Sequence, residues 1–583
     1  MTLEAEDRVS PTDLLTRGFF PDRVIPPLNS RKLEAACGDV LDFVADEVTT
    51  AKANKWKLPH RSRCSQHSVP KRKHLRRRLG IPNPRYQAIL CDEVSATWPH
   101  LKKICEESPI SLTSPRKSST RAIEGSSGRQ AIAAERASRS VGARYLLQTD
   151  LASFYPSIYT HIIPWAIHDK SKARADKKRE LYGNRLDGWV RETQDKQTKG
   201  IAIGPDTSFL IAEVIASRID VELQRQVKLR GTRYIDDYHL YFDTLANAEK
   251  ALSGLYRVAA EYELEVNDAK TEIIELPEPL EPSWKTQLRA IGISDGNDPT
   301  SIKALFDRGF ELAKQHPHDS VLTYTAKKMR GLSSLQGKSW EVCEPLLLRA
   351  CFGEPSMLPV LLEIYEQHTD GDHTRLQVLI EELCLYHGRL HQGFEVAWSL
   401  WVAKKMGIKL SRQVGEIVSQ IDDDIVALAA LDLRDSDLLL IEDAPLWQSH
   451  LTEEDLYSEH WLLAYEAGVH DWITAPAVDN YIRSDEFFSI LRRYDVSFYD
   501  SGTEVAEGNY ESGYFEDEED DVDENGPMTS PHFELVVAMS LLHLATAFHG
   551  LPHGDFVGEF DVAAYGDAHG DARHLHSQRL QQL

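Results

Sequence analysis

Two adjacent carboxylates lie near the middle of the chain, in the tetrapeptide Tyr234-Ile235-Asp236-Asp237. The surrounding TRYIDDYHLYF is typical of a strand, a tight turn and a second strand, which predicts both aspartates at the tip of a β-hairpin. Two neighbouring carboxylates cannot both ionise cheaply without a cation. The motif alone also fits a solvated turn, because the chain has 91 acidic residues. Its interpretation therefore depends on what else reaches the hairpin.

A third carboxylate, Asp150, ends the earlier apolar segment YLLQTD, which has the pattern of a β-strand. If this strand and the hairpin are neighbours, Asp150 and Asp236 converge on one point. Oxygen-only ligands suit Mg²⁺, which keeps its remaining positions for water and substrate phosphates. The three carboxylates predict a two-metal Mg²⁺ site for nucleotidyl transfer, with Mn²⁺ as a substitute.

The elements around these residues indicate an α+β region followed by helices. Residues 206–226 predict an amphipathic helix capped by Asp206 or Thr207. Another helix is expected near Ser30–Ala53. Beyond about Pro277 the strand pattern fades, and residues 300–495 form successive helical segments separated by short polar breaks. These segments indicate either stacked helix pairs or an irregular helical domain.

Charge is unevenly distributed along the chain. The formal net charge is −25, yet residues 51–140 hold 20 Lys and Arg against 6 Asp and Glu. The densest basic block predicts a phosphate-binding surface, with a solvated helix or a disordered arm as the alternative. We expect residues 111–129 to be a flexible basic loop and the acidic run Glu516–Glu524 to be disordered. The basic block consists of Lys71, Arg72, Lys73, Arg76, Arg77 and Arg78.

The sequence favours a cytoplasmic protein. No apolar stretch is long enough to span a membrane, and the N-terminus lacks the apolar core of a secretion signal. The seven cysteines are scattered and odd in number, which indicates reduced thiols without a zinc site. The histidines of the C-terminal tail have no repeated spacing and indicate no metal site.

Four ordered motifs resemble those of the reverse transcriptases, over roughly residues 60–280. They are DLASFY (Asp150–Tyr155), GIAIGPDTS (Gly200–Ser208), YIDD and NDAKT (Asn267–Thr271). More narrowly, FYPSIYTHIIPWAIH and GIAIGPDTSFLIAE look like the bacterial antiphage-defence enzymes, the abortive-infection and unknown-group reverse transcriptases. The resemblance implies an α+β polymerase right hand with fingers and palm, followed by a mostly α-helical repeat-like domain.

With this resemblance the chain divides into six predicted segments. The palm carries the aspartates, and the fingers precede it. The segments are an N-terminal helical extension (1–60), basic fingers (61–145), palm (146–280), helical repeat-like domain (281–500), acidic disordered linker (501–530) and C-terminal helix and tail (531–583).

The resemblance also implies residue roles. Asp150 and Asp236 would ligate both metals, and Asp237 would support the edge of the site. The ring of Tyr155 would lie under the sugar and exclude a 2′-hydroxyl. A structural alternative stays open for each predicted role. Asp237 could be a solvated turn residue, Tyr155 a core residue, Gly204 a glycine needed for positive φ, Ser208 a helix cap and Lys270 a surface lysine. Further predicted nucleotide-binding residues are Gly204, Ser208, Lys270 and Arg121. Lys117, Arg121 and Arg129 are all candidates to grip the triphosphate, and the sequence does not choose among them.

The implied function is DNA synthesis from dNTPs in defence against phage, RNA-templated or template-independent. Implied partners are RNA and DNA, a noncoding RNA in some members, and a second copy or another defence protein. Ala202 and Ile203 depart from the Pro and Gln that many reverse transcriptases carry there, which puts ordinary nucleotide and template contacts in doubt. The alternatives are an RNA-dependent RNA polymerase and a nucleic-acid-binding scaffold with a polymerase-like fold.

Overall fold

The computed structural model of the protein describes residues 7–72, 75–293, 298–330, 332, 335, 337–368 and 373–503. All of them fall within one compact unit, Met1–Val522. Lys73, the acidic segment from residue 504 and the predicted C-terminal helix and tail at 531–583 lie outside the described residues.

The N-terminal segment forms two helical elements. α1 (Pro11–Thr16) begins at a capping box, in which Ser10 and Asp13 each accept a hydrogen bond from the other's backbone N–H. A 3₁₀ helix (Arg31–Ala36) then leads into α2 (Cys37–Ala53). This confirms the helix expected near Ser30–Ala53, and its apolar face is buried in the core.

Two β-hairpins replace segments that were expected to be irregular or helical. β1 (Ser65–Arg72) pairs antiparallel with β2 (Leu75–Ile81), so the described residues of the basic block lie in paired strands and not in a helix or a disordered arm. β3 (Pro115–Lys117) pairs with β4 (Ile123–Gly125), so the prediction of a flexible loop over residues 111–129 was wrong. Strand pairing satisfies the backbone N–H and C=O groups of these segments. Their charge and their Ser and Gly content do not reveal that pairing.

A four-stranded antiparallel sheet carries the aspartates. Its spatial order is β6 (Gly231–Tyr234), β7 (Asp237–Phe242), β5 (Tyr145–Asp150) and β8 (Glu272–Glu275). The strand ending at Asp150 is therefore the direct neighbour of the hairpin strand that begins at Asp237. The strand and the hairpin are thus neighbours, which is the condition under which Asp150 and Asp236 were expected to converge.

Helices pack behind this sheet. α9 (Asp206–Gln224) and α10 (Leu245–Glu261) contact each other, and α10 contacts three of the four strands. The cap of α9 is Pro205 and has no side-chain bond, so the prediction of Asp206 or Thr207 as the cap was wrong. The remaining helices here are α3 (Pro84–Glu106), α4 (Arg129–Ser140), α5 (Phe154–Ser157), α6 (Ile162–His168), α7 (Lys170–Ala175), α8 (Tyr182–Glu192) and a 3₁₀ helix (Asp268–Lys270).

Beyond the sheet, the described chain is helical, as expected for residues 300–495. The helices are α11 (Ser283–Arg289), α12 (Pro299–Gln315), α13 (Val321–Lys327), α14 (Lys338–Gly353), α15 (Leu358–Glu366), α16 (Thr374–Gly388), α17 (Gly393–Lys405), α18 (Arg412–Val418), α19 (Asp424–Asp435), α20 (Pro445–Ser449), α21 (Trp461–Val469), α22 (Pro476–Ser484) and α23 (Glu486–Arg493), with 3₁₀ helices at Pro355–Met357 and Asp455–Tyr457.

Alternate helices of this region contact one another in two series. α12, α14, α16 and α18 form one series, and α13, α15, α17, α19 and α21 form the other. Helices that are adjacent in sequence, such as α16 and α17, join the two series. The region is thus two layers of helices with a shared apolar interior.

The helical region packs directly on the β1–β2 hairpin. Arg76 donates to Glu395 Oε2 at 2.8 Å, and the Trp461 indole N–H donates to the Ile81 carbonyl at 2.9 Å. These bonds attach the hairpin to the helical region, and its Leu79–Ile81 end is buried. The six predicted segment boundaries stay predictions.

Two further sequence expectations concern cysteines and membranes. All seven cysteines are buried, and none forms a disulfide, which fits reduced thiols. Within the described residues, no helix has the length and apolar character needed to cross a bilayer.

Candidate active site

The three predicted carboxylates meet at one end of the sheet. Asp150 is the last residue of β5 and pairs in register with Asp237, the first residue of β7. Asp236 lies in the tight turn between β6 and β7, where its neighbour Ile235 adopts a positive φ of 55°. The carbonyl of Asp236 accepts a hydrogen bond from the Leu151 N–H at 3.2 Å. The turn is thereby fixed to the end of β5.

The local electrostatics disfavour ionisation of Asp236. Burial, followed by the charge of Asp150, raises the pKa of Asp236 to about 6. Asp150 is itself buried, and its Oδ1 atom has no hydrogen-bond partner among the described residues. Desolvated carboxylates with an unpartnered oxygen are a site that a cation would stabilise.

Lys270 provides one positive charge. Its Nζ donates to Asp150 Oδ2 at 2.7 Å from the short 3₁₀ helix that precedes β8. The Asn267 N–H donates to the Asp150 carbonyl at 2.9 Å, which ties this helix to β5. The predicted role of charge neutralisation fits this contact.

A buried ion network, which the sequence analysis missed, positions the hairpin turn. The Arg233 guanidinium donates to Glu213 at 2.8 and 3.0 Å and to Asp220 at 2.7 Å. It also donates to the Ile235 carbonyl at 2.7 Å, and the Ile235 N–H donates to the Thr113 hydroxyl at 3.2 Å. Both backbone groups of the strained turn residue are thus held by side chains.

The charge of Arg233 compensates the two buried carboxylates only in part, since burial raises the pKa of Asp220. Burial acts to raise the pKa of Glu213, but the Arg233 charge and donors that include Ser111 and Thr113 hold it below its usual value. The sequence did carry one signal: Glu213 and Asp220 are seven residues apart on the buried face of α9. Two acids on an otherwise apolar helical stripe indicate a buried cation opposite.

Tyr155 lies close to the aspartates. It is buried at the start of α5, and its pKa is raised well above the usual value by burial and then by the charge of Asp236. Its carbonyl accepts from the Ile201 N–H at 3.1 Å, which joins two of the predicted motifs.

The motif Gly200–Ser208 leads into α9 and is called the helix-head motif below. The structure gives its glycines and its serine structural roles. Gly200 and Gly204 have positive φ values of 82° and 134°, and a Cβ at Gly204 would collide with the Pro21 ring. Ser208 is buried in the first turn of α9. Position 204 therefore requires glycine, because its φ is positive and because Pro21 of the N-terminal segment lies against it.

Arg121 is not placed to grip a triphosphate, although the sequence predicted that role. Its guanidinium is buried and donates to Asp206 Oδ1 at 2.5 and 2.8 Å, to the carbonyls of Phe20 and Gly204, and to Asp22. The prediction for Arg121 does not fit this placement, because its donors are committed to protein acceptors. Of the other two candidates, Lys117 pairs with Asp13 at 3.4 Å, and the side chain of Arg129 lies outside the described residues.

The basic block divides between two faces of its hairpin. Successive residues of a strand point to opposite sides, and Arg76 is paired with Glu395 on the helical region. Arg77 exerts its charge on Asp236 and Tyr155. Arg78 is exposed and lines a cavity. Lys71 is half-exposed, while the side chains of Arg72 and Lys73 lie outside the described residues.

That cavity has a volume of about 640 Å³ and lies between the hairpin, the helix-head motif and the helical region. The segment Gly200–Ile203 forms one wall, and Asp422–Asp424 form another. Basic side chains at its rim are Arg63, Arg78 and Lys199.

The sheet, with acidic residues at a strand end and in the adjoining tight turn, resembles the palm of a nucleic-acid polymerase. Comparison with known families identifies the class further. Residues 69–295 match the family model described as reverse transcriptase (RNA-dependent DNA polymerase). The chain thus carries a reverse transcriptase domain, which supports RNA-directed DNA polymerase activity.

Among solved structures, the chain is similar to apo telomerase from Candida tropicalis at 10% identity and a TM-score of 0.29. The similarity covers 67% of this chain and 73% of the telomerase chain. A comparison with curated proteins finds no match.

Proposed function

We propose that the protein is a defence-associated reverse transcriptase, a Mg²⁺-dependent DNA polymerase that adds dNTPs to a growing strand and protects bacteria against phage. One observation carries the catalytic part: Asp150, with an unpartnered buried oxygen, lies beside Asp236, whose pKa is raised, within the segment that matches the reverse transcriptase family. Carboxylates in this state favour a divalent cation over a proton at neutral pH.

The donor set fits Mg²⁺, because every candidate ligand is a carboxylate oxygen. Asp150 and Asp236 would hold two ions, Asp237 would support the edge, and Mn²⁺ would substitute. When bound, such a pair of ions stabilises the attacking and leaving oxygens of an in-line phosphoryl transfer.

The chain's own residues supply the remaining steps. Lys270 Nζ contacts the carboxylate at 2.7 Å, and a proton passed from this ammonium to the leaving pyrophosphate would complete the transfer. The Tyr155 ring would exclude a 2′-hydroxyl by its bulk beside Asp236. Arg77, whose charge reaches Asp236, would balance the charge of the incoming triphosphate.

The defence role is supported by the resemblance of the motifs around Phe154–His168 and Gly200–Glu213 to the antiphage enzymes, and by the helical region that follows. With that role we propose a cytoplasmic location, RNA and DNA as partners, a noncoding RNA as a template where one is used, and assembly with a second copy or a defence protein.

A direct experiment compares purified protein with an Asp150→Asn variant on an RNA template with a DNA primer, and again without a template. Mg²⁺-dependent incorporation of dNTPs by the natural chain alone is expected. In cells, the same variant should lose protection in a plaque assay. Full protection by Asp150→Asn would instead favour a nucleic-acid-binding scaffold, and preference for NTPs would favour an RNA-dependent RNA polymerase.

A further inference from the structure

A strongly basic segment lies between the motif DLASFY and the helix-head motif, outside the site described above. Residues 170–179 have the sequence KSKARADKKR, with six basic residues and one acid, in a chain whose formal net charge is −25. They form α7 and most of the connection to α8, and we call this segment the basic ridge. Its charge is therefore opposite in sign to that of the chain as a whole.

Two carboxylates at the basic ridge are bound to backbone donors. Asp169, directly before the ridge, caps α7 and accepts hydrogen bonds from the N–H groups of Ser171 and Lys172 at 2.9 and 3.1 Å. Asp176 accepts one from the Lys178 N–H at 3.0 Å. Among the described residues, neither carboxylate forms an ion pair with a lysine or arginine side chain of the ridge. Both acids therefore fix the backbone of the ridge and leave its side-chain charges largely uncompensated.

Side chains of α8 hold the end of the basic ridge. The Asn184 amide donates to the carbonyls of Asp176 and Lys178 at 2.9 and 2.6 Å. The Arg185 guanidinium donates to the Arg179 carbonyl at 3.2 Å. The backbone of the ridge is thus bound at its helical start and at its end.

Three of the six cations are placed against tryptophan rings. The Lys170 ammonium and the Arg174 guanidinium lie 4.5 and 5.2 Å from the centroid of the Trp165 ring. The Arg179 guanidinium lies 5.1 Å from the centroid of the Trp189 ring. Contacts of this kind attract the cation to the ring and hold a long side chain in place. These three residues therefore attach the ridge to the body of the protein.

The other three cations are the exposed residues Lys172, Lys177 and Lys178. Within the part of the chain that the structure describes, none of them has an ion-pair partner. An ammonium group without a carboxylate partner is available to a phosphate, and each such contact releases a counterion from a nucleic acid. The ridge itself contains no aromatic residue, and Trp165 is buried, so bases have no ring on which to stack. The contacts open to a nucleic acid here are therefore to its backbone.

The basic ridge lies on the side of the sheet where the helices pack. The Lys170 ammonium donates to the carbonyl of Glu261, the last residue of α10, at 2.6 Å. The helix that precedes the ridge, α6, contacts α9. A nucleic acid on the ridge would therefore make contacts additional to those at the catalytic aspartates.

We propose that the basic ridge, through Lys172, Lys177 and Lys178, binds the phosphate backbone of a double-helical nucleic acid outside the catalytic centre. Lysines on a fixed backbone, without a stacking ring, suit a duplex, whose bases are already stacked on each other and whose phosphates are regularly spaced. The inference rests on the proposed function, because it adds a second contact surface for the nucleic acid on which the polymerase acts. The contact is independent of base sequence.

The experiment measures binding of the full-length chain to dumbbell duplexes of RNA and of DNA. Each duplex is closed by a loop at both ends, so it offers no 3′ end to the catalytic site. Fluorescence anisotropy gives the affinity over a series of KCl concentrations without dNTPs. The ridge variant combines Lys172→Gln, Lys177→Gln and Lys178→Gln.

The matched control removes the same number of charges elsewhere. It replaces three exposed lysines of the helical region that also lack ion-pair partners among the described residues. The control variant combines Lys303→Gln, Lys314→Gln and Lys409→Gln.

We expect the ridge variant to bind at least one of the duplexes about 10-fold or more weakly than the natural chain at the same salt concentration. The slope of log affinity against log salt should fall by about two to three, because three phosphate contacts are lost. The control variant should keep the affinity and the slope of the natural chain. All three proteins should have the same melting temperature, because the substituted side chains are exposed.

Equal slopes for the ridge variant and the control variant on both duplexes would overturn the proposal and leave a solvated basic surface only. A loss confined to a single-stranded oligonucleotide, or to poly-glutamate as a model of an acidic protein, would overturn it as well. The assay needs no synthesis, so its outcome is distinct from that of the proposed function. Incorporation of dNTPs by the natural chain together with equal slopes would refute the ridge alone.

Discussion

Two acidic groups flank the same hairpin turn and differ in how their charge is met. Glu213 and Asp220 share one guanidinium, Arg233, and together these residues form a fully buried set of short contacts. Asp150 and Asp236 lie beside the ammonium of Lys270, whose side chain is 34% exposed, and the pKa of Asp236 is raised. One oxygen in each group, Asp220 Oδ1 and Asp150 Oδ1, has no hydrogen-bond partner among the described residues. The group around Arg233 is closed to solvent and fixes geometry, whereas the group beside Lys270 is where a ligand can gain by binding.

The largest effect is expected at Asp236, in the group beside Lys270. Asp236→Asn should lower DNA synthesis at least about 10³-fold, because a charged ligand is lost where charge develops in the transition state. The circular dichroism spectrum should not change, since asparagine keeps the shape of the side chain. Primer extension on an RNA template measures the activity.

Asp243→Asn is the matched control, because Asp243 is a largely exposed carboxylate that directly follows β7. It should retain full synthesis. Substantial synthesis by Asp236→Asn would contradict the assignment of the turn as the catalytic centre.

The group around Arg233 should respond in stability. Arg233→Met leaves two buried carboxylates unpaired and should lower the free energy of unfolding by about 3–5 kcal/mol. Adding Glu213→Gln and Asp220→Asn should restore most of that loss in urea denaturation. DNA synthesis should stay reduced in the triple variant, because the Ile235 carbonyl still lacks its donor. Full recovery of synthesis would show that Arg233 acts on stability alone.

Tyr155 tests whether the protein beside the aspartates shapes the substrate. Tyr155→Val should reduce the preference for dGTP over GTP by about 10–100-fold, since removing the ring opens space for a 2′-hydroxyl. The ratio of kcat/KM for the two nucleotides measures this. An unchanged ratio with normal folding would make Tyr155 a core residue only.

The pH dependence of stability offers a smaller signal. The pKa of Asp236 is raised from 3.8 to about 6 in the folded protein, so its ionisation disfavours the fold. Without divalent ions, the stability it contributes is present below about pH 4 and is lost as the pH rises through about 6. The melting temperature of Asp236→Asn should therefore rise relative to the natural chain across this window, and Mg²⁺ should abolish the difference. A constant difference at all pH values would contradict the raised pKa.

The basic hairpin should separate into two functions. Arg77→Ala should weaken binding of nucleic acid or triphosphate and reduce the slope of log affinity against log salt by about one. Arg76→Ala should leave that slope unchanged and lower stability instead, because Arg76 is paired with Glu395. Equal slopes for the two variants would show that the hairpin does not divide in this way.

The sequence located the centre of the site more reliably than its surroundings. Asp150, Asp236 and Asp237 follow from a strand pattern and a turn, which are local features, and the sheet register brings them together. Arg121 shows the limit: a basic residue in a Ser-rich segment looks solvent-exposed until its distant partner, Asp206, is known.

The same limit applies to the ion pair that attaches the basic hairpin to the helical region. Nothing local unites Arg76 and Glu395, since only packing makes them neighbours. Hairpin pairing of the basic block was likewise hidden, because positive charge masked the strand pattern. Local sequence patterns predict helices and strands. Ion pairs between residues far apart in sequence become visible only in the structure.

Two bonds attach the β1–β2 hairpin to the helical region, one at Arg76 and one at Ile81. Arg76 and Arg77 are consecutive on one strand, so the strand that is bound to Glu395 on α17 also carries the charge that acts on Asp236. The Trp461 indole holds the end of the same strand through the Ile81 carbonyl. Removing the helical region would therefore remove the contacts at both Arg76 and Ile81, which flank Arg77 on that strand.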